Sequence, residues 1–194
     1  MKLYPSGHPI APYDRVLKYI VPFIPARVLP NHITFVRLLG APILLLLLID
    51  DYYQAGLVLF VLLAFTDMLD GSLARIRNQV TDWGKIWDPI ADKLLIGVVV
   101  GALLVEINFT LTILLLAFEA AFVLGGAFTV AVKQTTVQAD TWGKIKMNLQ
   151  CLGAACLILG VFGHWPTLLV WAQGFLYACL IFAALSLLKA GRTI

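Results

Sequence analysis

Six long apolar runs constrain the fold of this chain more than any other feature. They lie at 33–49, 55–75, 86–106, 109–132, 143–163 and 166–188. A membrane-spanning helix needs about 20 residues, and five runs reach that length, whereas 33–49 is shorter. Charged residues make up 13% of the 194 residues, where a soluble domain averages about 25%. The sequence therefore predicts an all-α, polytopic membrane protein with six transmembrane helices.

Residues 12–21 precede the first run and have a helical pattern of apolar side chains. The side chains that can share one face are those of Val16, Leu17, Ile20 and Val21. Pro12 can begin such a helix and Pro22 can end it. We therefore expect a short amphipathic helix in the membrane interface, with an ordinary capping helix as the alternative. This helix belongs to an N-terminal juxtamembrane segment, residues 1–30, and residues 31–194 form the six-helix domain.

Basic residues indicate how the predicted spans cross the membrane. With six spans, all fourteen Lys and Arg residues fall on one side, and the residues of the other side are Asp50, Asp51, Glu106 and His164. Basic residues favour the cytoplasmic side, so we expect both termini in the cytoplasm. Arg37 opens the first span, and we interpret its side chain as reaching toward the lipid headgroups.

Four aspartates lie at neighbouring ends of the second and third predicted spans. Asp67 and Asp70 are three residues apart, and Asp88 and Asp92 are four residues apart. Residues at these spacings share a helix face, so two helices joined by residues 76–85 can bring all four carboxylates to one cavity. Carboxylates inside a membrane protein are costly and usually functional. Oxygen ligands favour Mg²⁺ or Mn²⁺, and four carboxylates can hold two ions about 4 Å apart, as in phosphoryl transfer.

Small residues and one arginine accompany these aspartates. Gly71 and Gly84 leave room for a ligand to approach the backbone, and Ala74 keeps the same face open. Arg75 offers a planar set of donors that suits phosphate. The pattern indicates a site for a diphosphate with a bulky polar head, and its place at a membrane surface indicates that this substrate carries lipid tails.

The spacing of the site residues forms one motif of eight fixed residues over 26 positions. It reads Asp67-x2-Asp70-Gly71-x2-Ala74-Arg75-x8-Gly84-x3-Asp88-x3-Asp92. Every position resembles the signature of the CDP-alcohol phosphatidyltransferase family. The segment Pro30-Asn31-x-Ile33-Thr34-x-x-Arg37 also resembles the start of the first span in that family. The resemblance implies transfer of a phosphatidyl-type group from a CDP-linked lipid to a hydroxyl acceptor, with release of CMP.

The resemblance also implies a role for each motif residue. Asp67, Asp70 and Asp88 are implied metal ligands, and Asp92 is the implied general base, which also touches a metal. The residues implied to bind the CDP-lipid are Asn31, Thr34, Asp67, Asp70, Gly71, Ala74, Arg75 and Gly84. The implied cofactors are two Mg²⁺ or Mn²⁺ ions. The implied partners are CDP-diacylglycerol, a hydroxyl acceptor, membrane lipids and a second copy of the chain, with no nucleic acid, and the active site is expected at the cytoplasmic face.

The acceptor is less constrained by the sequence. Residues 142–150 and 67–94 resemble segments of bacterial phosphatidylglycerophosphate synthases, which favours glycerol 3-phosphate. The candidate acceptor-binding residues are Glu119, Lys133, Lys144 and Lys146. Glu119 could instead form a hydrogen bond between helices, and the lysines could serve only topology and anionic headgroups. Phe118 and Gly126 stand where that branch often has arginines, so cardiolipin synthase-type and inositol phosphate acceptors stay open.

An alternative from another functional class is a divalent-cation transporter in which the aspartates line the ion pathway. Such a path predicts acidic residues on both sides of the membrane and near its midplane. The four aspartates lie at one end of their spans instead. A transport path also leaves Gly71, Ala74 and Arg75 without a role, so the pattern favours the enzyme.

Overall fold

Helices make up all the regular structure in the described part of the chain. The computed structural model describes residues 17–25, 27–133 and 141–191. A short 3-10 helix, Val21–Phe23, comes first. The long helices that follow are α1 (Pro30–Ile49), α2 (Tyr53–Ile76), α3 (Asp82–Val99), α4 (Phe109–Lys133), α5 (Thr141–Phe162) and α6 (Pro166–Gly191). The prediction of an all-α fold is confirmed for the described residues.

Helix α3 continues beyond Val99. A π-helical turn, Val100–Leu104, leads into a last α-helical turn, Val105–Ile107. The predicted run at 86–106 is therefore one continuous helical stretch that contains a π turn. Asn108 then begins α4, because its side-chain Oδ1 accepts a hydrogen bond from the main-chain N–H of Leu111 at 3.0 Å, which is an N-cap contact.

Four helical segments of the described residues are long and apolar enough to cross a membrane. They are Pro30–Ile49, Tyr53–Ile76, Ile145–Phe162 and Pro166–Ser186, and a shorter apolar segment is Phe109–Gly125. Helix α3 differs in composition because it carries five charged residues, Asp82, Lys85, Asp88, Asp92 and Lys93. Many large apolar side chains on the long helices are exposed, as expected where lipid surrounds them. These features describe an integral membrane protein, while the count of six crossings stays a prediction.

The described residues form two compact units. The first contains the described residues up to Ile43 together with Leu59–Leu95, and the second contains Leu44–Val58 and the described residues from Ile96 onward. The first unit therefore contains the whole aspartate motif. The second unit contains the candidate acceptor residues from α4 and α5.

Three helices end in left-handed caps that are not formed by glycine. The residues with positive φ are Asp51, Asn78 and His164, at 62°, 54° and 50°. Each stands two residues after a helix end, and the next main-chain N–H bonds back over five residues, as for Gln79 to Ala74 at 2.8 Å. This is the Schellman arrangement. The Asn78 cap leaves only residues 77–81 between α2 and α3, so the two aspartate-bearing helices are joined by a tight turn.

The segment before α1 is held by Arg77, the first residue after α2. Its guanidinium donates hydrogen bonds to the main-chain carbonyls of Val21, Ile24, Pro25 and Val28. Half of the predicted interfacial helix over 12–21, residues 12–16, lies outside the described residues. Of its predicted apolar face, Leu17 and Val21 are buried and Ile20 is exposed.

The second unit contains a cavity of about 390 Å³. Its lining includes Asp51, Glu106 and His164, three of the four residues that the sequence predicts to share one side of the membrane. Asp51 and His164 follow the ends of α1 and α5, and Glu106 lies in the last helical turn before Asn108. This grouping agrees with helices that alternate in direction.

Helices α5 and α6 pack closely because glycines on α5 face leucines on α6. A Cβ atom added at Gly160 would lie 2.6 Å from Leu169 Cδ2 and 3.2 Å from the Leu169 main-chain nitrogen. At Gly153 an added Cβ would lie 3.0 Å from Leu176 Cγ. Small residues allow membrane helices to approach in this way, and the hairpin depends on them.

Gly160→Ala should therefore destabilise the protein by about 1–3 kcal/mol, because the added methyl group overpacks the contact with Leu169. The measurement is the thermal midpoint of the purified protein in detergent. Gly174→Ala on α6 is the matched control, since an added Cβ there meets nothing within 4 Å. Equal midpoints for the two variants would contradict the packing argument.

Candidate active site

Arg37 of α1 lies at the meeting point of three aspartates. Its guanidinium donates to Asp67 Oδ1 at 2.5 Å, and it also donates to Asp70 Oδ2 and Asp92 Oδ1. The Arg37 side chain has no exposed surface. Asp67 and Asp70 belong to α2 and Asp92 belongs to α3, so one buried cation joins three helices of the first unit.

The interpretation of Arg37 as a residue that reaches toward the lipid headgroups is wrong. A charge without exposed surface requires paired and hydrogen-bonded partners, and the three carboxylates supply them. The position of Arg37 one turn after Thr34 was visible in the sequence. What the sequence did not show is which neighbouring helices this face of α1 would meet.

Asp88, the fourth aspartate, is held by Thr34. The Thr34 hydroxyl lies 2.6 Å from Asp88 Oδ1 and 3.2 Å from Asp70 Oδ2, and Thr34 is 1% exposed. A hydroxyl has one hydrogen to donate, so it serves one of these two carboxylates at a time. Helix α1 thus contributes two polar side chains, Thr34 and Arg37, to the same cluster.

The aspartate cluster is open to its surroundings on one side. The Asp67 and Asp92 side chains are 23% and 24% exposed, whereas the Asp70 side chain is 3% exposed. Arg37 pairs with three of the four carboxylates. The convergence of the carboxylates, together with an exposed edge at Asp67 and Asp92, makes the cluster suitable for binding cations from outside.

The donors of the cluster fit divalent ions. They are carboxylate oxygens, the ligands that hard cations such as Mg²⁺ prefer, and three of the carboxylates converge closely enough to touch one guanidinium. As the side chains stand, no group of three or more His, Cys, Asp or Glu residues in the described ranges is arranged to hold a metal ion. The chemistry and convergence of the donors fit, while the Arg37 guanidinium occupies the point where the carboxylates meet.

Gly84, near the start of α3, lies beside Asn31 and Asp88. A Cβ atom at Gly84 would lie 3.4 Å from Asp88 Oδ2 and 3.5 Å from Asn31 Oδ1. Thr81 links these residues, because its hydroxyl donates to Asn31 Oδ1 at 2.8 Å and accepts from the Gly84 N–H at 3.0 Å. Sequence reasoning missed Thr81, although a threonine directly before a helix is a common N-cap residue.

Gly71 and Arg75 are neighbours on α2. A Cβ atom at Gly71 would lie 3.2 Å from Arg75 Nη1, so the space left by the glycine is adjacent to the guanidinium. Ala74, one residue earlier, is partly exposed. Gly71 and Ala74 thus leave a narrow strip without bulky side chains beside Arg75, on the same helix as Asp67 and Asp70.

Two candidate acceptor residues of the second unit pair with each other. Lys146 Nζ of α5 lies 2.5 Å from Glu119 Oε1 of α4, and Gln150 Nε2 donates to the same oxygen at 2.7 Å. Lys146 also lies 4.0 Å from the centre of the Phe122 ring, a cation–π distance. Glu119 thus forms the helix-to-helix contact that was its alternative role. The side chains of the other two candidates, Lys133 and Lys144, lie outside the described part.

Comparison with known proteins identifies the family. A model of the CDP-alcohol phosphatidyltransferase family matches residues 27–185. The chain belongs to this family. The predicted resemblance and the prediction of an enzyme are confirmed, and enzymes of this phosphatidyltransferase family generally depend on divalent metal ions.

Several relatives of this phosphatidyltransferase carry the same name, "CDP-diacylglycerol--glycerol-3-phosphate 3-phosphatidyltransferase". The relative from Rickettsia typhi is 38% identical over 136 residues, which cover 68% of this chain and 76% of the relative. The relative from Bacillus subtilis is 32% identical over 151 residues, with 68% and 76% covered. The relative from Aquifex aeolicus is 33% identical over 119 residues, with 59% and 66% covered.

The pairing of Glu119 with Lys146 predicts how this phosphatidyltransferase responds to substitution. Glu119→Ala should lower its stability by about 3–5 kcal/mol, because Lys146 is then left buried without its partner. The double variant Glu119→Leu with Lys146→Met should recover much of this loss. Thermal midpoints in detergent measure both, with Glu106→Ala, at an exposed position, as the control.

Additive losses in the double variant would contradict a direct pair, because contacting residues are non-additive. The same double variant also tests the acceptor role of Lys146. If the KM for the acceptor is unchanged, Glu119 and Lys146 only stabilise the fold. If the acceptor KM is raised, Lys146 contributes to binding the acceptor.

Proposed function

We propose that the chain transfers the phosphatidyl group of CDP-diacylglycerol to a hydroxyl of glycerol 3-phosphate and releases CMP. The observation that carries the proposal is the contact network of Arg37 and Thr34 with all four motif aspartates. It supports one site for the four carboxylates. The shared name of the relatives supports this donor and this acceptor.

In the proposed mechanism Asp67, Asp70, Asp88 and Asp92 hold two Mg²⁺ or Mn²⁺ ions. Bound there, the ions neutralise the diphosphate and stabilise the departing CMP. The support is the all-oxygen donor set from two helices of one unit. The backbone of α2 and α3, joined by the five-residue turn after Ile76, keeps the carboxylates together before any ligand arrives.

Asp92 is the proposed general base. Its carboxylate takes the proton of the acceptor hydroxyl while the new bond forms between that oxygen and the phosphatidyl phosphorus. The bond from this phosphorus to the CMP oxygen breaks, and CMP leaves with the electron pair. The partial exposure of Asp92, 24% of its side chain, supports this role because an acceptor from outside the cluster can reach it.

The CDP moiety is proposed to lie along residues without bulky side chains and beside polar groups of α1. Gly71 and Ala74 provide the strip on α2, and Arg75 beside them can donate to phosphate. Gly84 provides a second gap, with Asn31 and Thr34 at its edge. An alanine at either glycine would narrow the space that a diphosphate needs next to the carboxylates.

The acceptor phosphate is proposed to bind Lys144 or Lys133 rather than Lys146. Lys146 is 6% exposed and pairs with Glu119, so an acceptor would have to break that pair. Acceptors of the cardiolipin synthase type and inositol phosphates are the alternatives, and the names of the relatives favour glycerol 3-phosphate. A cation transporter is the alternative from another class, and the family assignment favours the enzyme.

The proposed topology has six crossings, with both termini and the active site at the cytoplasmic face and a second copy of the chain as partner. Residues 31–194 are proposed as the enzyme domain and residues 1–30 as its juxtamembrane segment. Trp83 and Trp87 support a position of the start of α3 at the membrane interface. Their rings stack with centroids 5.7 Å apart, and indoles favour the membrane interface.

With CDP-diacylglycerol and Mg²⁺, the purified protein should release CMP fastest when glycerol 3-phosphate is the acceptor. The assay measures CMP with glycerol 3-phosphate, phosphatidylglycerol, inositol, inositol phosphate or serine, and a sample with EDTA is the control. Faster release with another acceptor would replace the proposed one. Mg²⁺ flux into liposomes without CMP release would favour the transporter.

Asp92→Asn should lower kcat about 10²- to 10⁴-fold, because a neutral amide cannot take the acceptor proton. Asp50→Asn, at an exposed position between α1 and α2, is the matched control and should keep the wild-type rate. CMP release under saturating substrates measures both. Wild-type turnover in Asp92→Asn would remove Asp92 from the role of base.

A further inference from the structure

We propose that Arg37 is a positioning residue that holds one oxygen of three aspartates and leaves the other oxygen of each to the metal ions. The inference rests on the proposed function, because it concerns the same carboxylates. It assigns a role to a residue outside the eight-residue aspartate motif. It also makes the buried guanidinium a permanent part of the metal-loaded site.

The guanidinium contacts the three aspartates with only two of its nitrogens. Nη1 contacts Asp67 and Asp92, and Nη2 contacts Asp70. The third nitrogen, Nε, is buried and has no hydrogen-bond partner among the described residues. The contacts to α2 and α3 therefore depend on the two terminal nitrogens of the planar guanidinium. Lysine has a single side-chain nitrogen and cannot reproduce them.

The contacts divide each carboxylate into a held oxygen and a second oxygen. Arg37 takes Oδ1 of Asp67, Oδ2 of Asp70 and Oδ1 of Asp92. Thr34 uses that same oxygen of Asp70 and Oδ1 of Asp88. One oxygen of each of the four carboxylates is thus outside the contacts with Arg37 and Thr34. A carboxylate held at one oxygen is limited in rotation, so its other oxygen has a set direction for a metal ion.

Withdrawal of Arg37 from the aspartates when ions bind would cost free energy. Its side chain is fully buried, and leaving the aspartates would place an unpaired charge among apolar groups of the helices. In many metal sites, residues that hydrogen-bond to the metal ligands orient those ligands. Loss of such a residue lowers metal affinity or activity about 10- to 100-fold.

The experiment measures Mn²⁺ affinity of the purified, substrate-free protein by electron paramagnetic resonance, for the wild type and Arg37→Lys. We expect Arg37→Lys to bind Mn²⁺ about 10- to 100-fold more weakly, and to lower kcat more than it changes the KM for CDP-diacylglycerol. Arg77→Lys is the matched control. Arg77 is also a multiply bonded arginine of the first unit, but its described bonds go to main-chain carbonyls, so Mn²⁺ affinity should stay unchanged.

Three results would overturn the inference. They are unchanged or tighter Mn²⁺ binding in Arg37→Lys, an equal loss in Arg77→Lys, and a wild-type protein that does not bind Mn²⁺. If Arg37→Lys does not fold, the wild-type structure with Mn²⁺ bound decides the matter. The three contacts should persist in it, and a guanidinium withdrawn from the aspartates would refute the role. Tight Mn²⁺ binding without CMP release from any acceptor would overturn the proposed function alone.

Discussion

A buried guanidinium that joins three helices is the interaction on which the first unit depends. Arg37 has no exposed surface, so α1 can be placed beside α2 and α3 only if carboxylates meet it there. The aspartates have the complementary requirement, because four of them repel one another unless positive charge stands among them. The same ion pairs therefore place the helices and assemble the candidate site, and the residues proposed to perform the chemistry also hold the helices.

Charge balance separates the two polar clusters of this protein. In the second unit, the described contact pairs one carboxylate, Glu119, with one ammonium group, Lys146, and Gln150 also donates to Glu119. In the first unit one guanidinium contacts three carboxylates, and Thr34 holds the fourth. A one-to-one pair suits a structural role, whereas several carboxylates that converge at a partly exposed edge suit the binding of cations from outside. This difference explains why the first cluster, and not the second, is the candidate active site.

Family membership and local geometry contribute different parts of the functional conclusion. The family accounts for the donor chemistry, since the motif residues and the match over 27–185 agree. The acceptor rests on the names of the relatives, because Phe118 and Gly126 stand where the branch that the sequence resembles often has arginines. The pairing of Lys146 with Glu119 is the reason why Lys133 and Lys144 are proposed, in its place, to bind the acceptor phosphate.

The sequence by itself determined the helices and the motif. Long apolar runs are readable because lipid requires about 20 consecutive apolar residues, and the spacing of Asp67, Asp70, Asp88 and Asp92 is readable because residues three or four apart share a helix face. Only the tertiary structure decided that Arg37 faces these aspartates and that Glu119 meets Lys146. The reason is that periodicity describes one helix at a time, whereas the partner of a buried charge depends on which faces of different helices pack together.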